Sequence, residues 1–247
     1  MTPPSVGSSV ADVFSDTGVS ATPIDGDPQR IHEAASNTLA LGSTGLRLTV
    51  SLLNDGVTSP LSEISGDVDL GRRAASLVLR QWTAGGTGEV TTVEVVVVPD
   101  AVYLRAPGLG SSAGSDDGQW WRTAVEAGSD QGPPVLSGLL TVLATAAAAD
   151  GGVADVFDGG AVRRHRVRLA NAPSVGMGPG VQFEGGLVVW VDDEPLVRAI
   201  EAVALPTGAT GAGRAVVRLE VIRPRQPVTV TVPAAADVRQ APEVSGN

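Results

Sequence analysis

From Gly45 onward the chain alternates: Leu46, Leu48, Val50 and Leu52 are apolar, and Arg47, Thr49 and Ser51 between them are polar. Successive side chains of an extended strand point to opposite faces, so a period of two describes a strand with one greasy face and one wet face. The pattern returns at residues 63–70, 74–82, 89–98 and 101–105, and again at 153–158, 162–169, 186–191, 196–205, 214–223 and 227–232. Gly, Asp, Asn or Pro separates most of these segments, and the short gaps predict hairpins and an antiparallel meander. So many one-sided strands constrain the fold strongly, because their apolar faces must close over something.

Two segments break the period and supply that something. In DPQRIHEAASNTLALG, residues 27–42, Asp27 suits a helix cap, Pro28 the first helical position and Gly42 the end. Ile31, Ala34, Ala35 and Leu39 would share one face, with His32 beside it. In PPVLSGLLTVLATAAAAD, residues 133–150, Ser137, Thr141 and Thr145 form a narrow polar stripe, while Leu136, Leu139, Leu140 and Leu143 fill much of the remaining surface. The expected fold class is therefore α+β: a strongly curved antiparallel β-sheet, a half-barrel, wrapped around helices on its apolar face. One domain is expected over residues 28–238, between a flexible N-terminal arm, 1–27, and a C-terminal tail, 239–247. Arg47, Arg164, Arg166, Arg168, Arg218 and Glu220 would line the outer face. Aromatic residues make up only 3% of the chain, so whatever the sheet encloses is aliphatic. Such an interior suits acyl chains better than planar cofactors, and no cofactor is expected.

Composition narrows the chemistry. A formal net charge of -10 opposes a nucleic-acid partner, since phosphate binding needs a concentrated basic surface. The chain has no Cys and only two His, His32 and His165, which leaves no set of residues for a thiolate or multi-His metal site. The longest apolar run, residues 134–149, falls short of the ~20 residues that cross a bilayer as a helix. No basic region followed by an apolar stretch opens the chain, so no signal peptide is expected in it.

Motifs that could carry catalysis lack their structural context. GSSAG at residues 110–114 matches the serine-hydrolase elbow with Ser112 as nucleophile, but a strand and a helix should flank it, and APGL and SDDGQWW do not supply them. Gly108, Gly110 and Ala113 match a dinucleotide fingerprint without the helix that would aim amides at a pyrophosphate. Arg163, Arg164, Arg166 and Arg168 form a basic cluster, read as a solvated outer strand face, with an anionic headgroup contact as the alternative. Asp192, Asp193 and Glu194 sit between two strand-like runs and read as a hairpin tip rather than a calcium or acid-base site.

Taken in order, the segments resemble the mycobacterial and actinobacterial cell-envelope lipoprotein family of LppX and LprG, itself similar in fold to the lipoprotein carrier LolA. The resemblance is carried by an early helix leading into GLRLTVSLL, then SEISGDVDLGRRAASLVLRQW, then VEVVVVPDAVYLRAPG followed by GQWWRT. VVWVDDEPLVRAIEAV and VRLEVIRPRQPVTVTVPAAADV continue it, with Trp190 before the acidic turn and Arg198 after it. The resemblance covers residues 27–238, and it implies a noncatalytic carrier of lipids, glycolipids or lipoglycans, exported to the cell envelope and anchored there in a longer precursor. The implied partners are a lipid or glycolipid ligand and a membrane transporter. Cavity candidates are Leu46, Leu48 and Val50 on an early strand, Val95 and Val97 on the Val-rich strand, and Leu139, Leu140 and Leu143 on the central helix. The alternative is an envelope interaction or stress-sensor module of the same fold with no lipid ligand.

Overall fold

The computed structural model describes residues 24–54, 57–82, 90–107, 118–125, 134–169, 181–206 and 214–240. Among these, thirteen strands join one sheet and two α-helices lie against it. The first helix, α1 (Gln29–Leu39), begins one residue later than expected: Pro28 is its N-cap rather than its first helical residue, and the Asp27 carboxylate accepts the Gln29 amide at 2.9 Å. Its buried face is Ile31, Ala34, Ala35 and Thr38, with Leu39 packed at the edge of the core. Gly42, at φ +76°, redirects the chain, and its carbonyl accepts the amides of Leu70 and Gly71.

Strands β1 (Ser43–Asn54), β2 (Val57–Asp69), β3 (Ala74–Trp82), β4 (Val90–Val98), β5 (Ala101–Arg105) and β6 (Trp120–Ala124) form an antiparallel meander. Helix α2 (Pro134–Leu143) follows. Then come β7 (Ala146–Ala149), β8 (Val153–Phe157), β9 (Gly160–Leu169), β10 (Val181–Asp192), β11 (Val197–Pro206), β12 (Arg214–Ile222) and β13 (Val238–Gln240). The order across the sheet is β13-β6-β5-β4-β3-β2-β1-β12-β11-β10-β9-β7, with β8 also paired to β9. β12 returns beside β1 and joins the two meanders into one open, curved sheet. Every pairing is antiparallel except β13 on β6, and β13 continues past residue 238 to Gln240. The curved antiparallel sheet wrapped around helices is thus the observed architecture.

Two expectations fail, both for tertiary reasons. The helix expected to run through residue 149 stops at Leu143: the Thr145 amide and hydroxyl both turn back to the Val142 carbonyl, and Ala146–Ala149 pairs with β9. Alanine favours helix locally, but here it is chosen for size, since Ala146, Ala148 and Ala149 are buried and His32 of α1 donates to the Ala146 carbonyl at 3.0 Å. Residues 227–232 alternate like a strand yet pair with nothing. Both sides of β12 are already taken by β1 and β11, so this segment leaves the sheet and crosses its back, where Val230 packs on Val96, Ala101 and Tyr103. The Trp-containing stretch GQWWRT, which is not among the strands expected from alternation, supplies strand β6.

Candidate functional site

Cross-strand register sorts the side chains into rows. One row runs Trp121, Leu104, Val95, Leu77, Gly66, Leu46 and Val221, across β6-β5-β4-β3-β2-β1-β12. The next runs Val93, Leu79, Ile64, Leu48, Leu219, Ile200, Val189 and His165, ending on β9. These rows form the concave face, because Leu46, Leu48, Val189, Ile200, Leu219 and Val221 share one buried cluster with Ile31 of α1 and Leu139, Leu140 and Leu143 of α2. Among the described residues that cluster holds no aromatic side chain, as the low aromatic content implies.

Of the eight cavity candidates, Leu46, Leu48, Val50, Val95 and Val97 lie on strands of this face, and Leu139, Leu140 and Leu143 belong to α2, which packs into the same cluster. Leu46, Leu48, Val97, Leu139, Leu140 and Leu143 are buried, and Val50 and Val95 are half-buried against them. The eight therefore include residues enclosed by the protein itself as well as residues that reach solvent, a distinction alternation does not make.

Burial across the concave face is uneven. α1 lies over β11 and β7 and against α2, so the half of the sheet built from β9 to β12 is covered: Val167, Val189 and Val191 are 0% exposed. On the other half, Ile64, Leu77, Leu79, Val93, Val95 and Leu104 point the same way but stay only half-buried. Large aliphatic side chains thus face inward in two rows without being fully covered, which in a finished core they would be. Gly66 deepens this face. At φ +154° it sits so close to β3 that a Cβ would fall 2.1 Å from the Ser76 carbonyl oxygen, so bare backbone separates Leu46 from Leu77.

The convex face carries the charge. Arg80 pairs with Glu63 at 2.8 Å, Glu63 with Arg47 at 4.0 Å, Arg47 with Glu220 at 3.5 Å, Glu220 with Arg218 at 2.9 Å, and Arg218 with Glu201 at 3.0 Å. This ladder crosses five strands, and it ends under the β8-β9 hairpin, where Arg218 lies 5.0 Å from the Trp190 ring and 5.7 Å from Phe157. Glu201, 2% exposed, is thereby a buried ion-pair partner. Of the basic cluster on β9, Arg166 pairs with Asp150 at 2.9 Å, Arg168 donates to the Ile24 carbonyl and Arg163 to that of Gly152. These side chains are engaged with the protein itself, while Arg163 and Arg168 stay exposed and Arg164 and Arg166 are half-buried.

The acidic turn is a joint. Asp192 accepts the Leu196 amide at 2.9 Å and pairs with Arg198 at 3.6 Å, Glu194 pairs with Arg225, and Arg30 of α1 donates to the Asp192 carbonyl. Just beyond it, Thr38 of α1 accepts the Val197 amide at 2.9 Å, a contact that sequence reasoning missed because Thr38 is the one polar residue on a face otherwise read as apolar. His165, 3% exposed, donates from Nδ1 to the Asp150 carbonyl, and its Nε2 has no partner. Gly152, at φ +72°, packs so tightly on this ring that a Cβ would fall 2.4 Å from it. Among the described residues no group of three His, Cys, Asp or Glu could hold a metal ion. Ser112 and the Gly108, Gly110 and Ala113 fingerprint lie outside the described residues.

Comparison with known proteins places the fold. No family model and no curated protein sequence matches the chain. The structure is similar to that of LprF from Mycobacterium bovis, with a TM-score of 0.53 and 16% identity over 84% of this chain and 97% of that one. The Mycobacterium tuberculosis lipoprotein LppX superposes with a TM-score of 0.49 and 14% identity, over 83% of this chain and 97% of that one. At the level of fold, the family resemblance read from the order of the strands is met by the LprF structure.

Proposed function

We propose that residues 28–238 form a noncatalytic lipid-carrier domain of the actinobacterial cell envelope, which binds and moves lipids, glycolipids or lipoglycans. The observation that carries this reading is the half-covered concave face: Ile64, Leu77, Leu79, Val93, Val95 and Leu104 face inward on a sheet whose other half is sealed by helices. An acyl chain laid on such a surface gains roughly 25 cal/mol per Å² of apolar area removed from water, so a long chain needs little polar chemistry to be held. The fold shared with LprF and the lipoprotein-like order of the sequence segments support the same reading. Export and a membrane anchor on a longer precursor, with a membrane transporter as donor or acceptor, complete the proposal.

Native mass spectrometry of the protein purified from an actinobacterial envelope tests it. Lipid should be retained at one defined stoichiometry, and Leu79→Asp, a change on a half-buried side chain, should cut that occupancy at least tenfold while the far-UV circular dichroism stays unchanged. A clean apoprotein from the native envelope would overturn the reading and favour an interaction module.

A further inference from the structure

Beyond the apolar rows of the concave face lies a third row of different character. In register across β12-β1-β2-β3-β4 it reads Val217, Val50, Ser62, Gln81 and Thr91. Past the irregularity between Val50 and Ser51, Leu52 faces Ser59 in the same sense. The concave side therefore passes from Val93, Leu79 and Ile64 to a collar of Ser59, Ser62, Gln81 and Thr91. Ser59 and Ser62 are half-buried, and Gln81 and Thr91 are exposed.

The collar holds hydroxyls and a carboxamide and no charge. No residue of the three concave rows is Asp, Glu, Lys or Arg. The strand arginines near it are turned outward and engaged: Arg80 with Glu63, Arg47 with Glu63 and Glu220, and Arg105 with Glu94 and over the Trp120 ring at 4.7 Å, while Arg214, which opens β12 opposite Leu53 on the outward side, has a partner of its own.

A phosphate brought here would meet neutral dipoles and a net negative chain, and would lose the water that solvates it without gaining a cation in return. Hydroxyl groups suit the same collar, since Ser, Thr and Gln each donate and accept. We propose that the collar of Ser59, Ser62, Gln81 and Thr91 is a headgroup subsite that selects lipids with an uncharged, hydroxyl-bearing polar end over anionic phospholipids of the same acyl length. This inference rests on the carrier reading and narrows it to a headgroup class.

The experiment loads delipidated full-length protein with dioleoylglycerol, monogalactosyl dioleoylglycerol or dioleoyl phosphatidylglycerol and reads occupancy by native mass spectrometry. The two uncharged lipids, with and without a sugar, should each occupy the protein at least tenfold more than the phosphatidylglycerol. Gln81→Arg, on an exposed position that tolerates the larger side chain, should reverse the preference by bringing in phosphatidylglycerol at least tenfold above its level in the unaltered protein. Equal occupancy by all three lipids, or no response to Gln81→Arg, would overturn the subsite while leaving the carrier standing. No occupancy by any of them would overturn both.

Discussion

Thr38 shows how much one atom can join. Its hydroxyl donates to the Ala34 carbonyl at 2.7 Å and accepts the Val197 amide at 2.9 Å, tying α1 to the first residue of β11 in a fully buried setting. Thr38→Val keeps the shape and leaves the Val197 amide without a partner, so it should cost about 1–3 kcal/mol. Urea unfolding would show this as a lower midpoint at unchanged slope. Gly152 and His165 form a second joint of this kind, where the glycine's left-handed backbone lets it lie flat on the ring. The sequence around His165 does not decide its burial, because Arg163, Val167 and Leu169, which share its side of the strand, are mixed in character. The reason is geometric: it ends a buried row beside Val189, which only the pairing of β9 with β10 reveals.

At the scale of elements, the outer ladder is one network with two kinds of member. Arg47, with its side chain 48% exposed, can rely on water, whereas Arg218 at 22% faces a Glu201 side chain that is 3% exposed. Removing one partner of a buried pair strands the other, so Arg218→Met should cost about 3–5 kcal/mol. Arg47→Met should cost only about 0–1 kcal/mol. Adding Glu201→Gln to Arg218→Met should recover part of the loss, because no uncompensated charge then stays buried; equilibrium denaturation of the three variants would check the order. The β8-β9 hairpin above this pair turns on Asp158 and Gly159, both at positive φ, the Asp-Gly pair that such a two-residue turn favours. Its outer strand exposes Val153 and Val156, and the Val156 amide is occupied by the Asp155 carboxylate, which also accepts from Trp190. Asp155 thus blunts an edge that would otherwise invite another strand.

For the whole molecule, a carrier that holds lipid in its native state alone must be stabilised by it. Protein loaded with an uncharged glycerolipid at one hundred times its Kd should gain ~2.7 kcal/mol over delipidated protein. For a domain of this size that corresponds to a rise in Tm of roughly 5–10 °C, readable by calorimetry. A Tm indifferent to lipid would oppose the carrier. Much of this architecture was legible beforehand: the positions of β1, β3, β5, β9 and β12, the inner face of α1, and the charge on the convex side all follow from residue order. They follow because the direction of a side chain along a strand or helix is a local property with a fixed period. Whether Ala146–Ala149 extends a helix or pairs with β9, whether residues 227–232 join a sheet or cross its back, and whether Leu79 is sealed like Leu219 or left half-open depend on which distant element arrives alongside. Period determines the face a residue takes; only the packing of the whole chain decides what covers that face, and here it buries one half of the sheet fully and the other only in part.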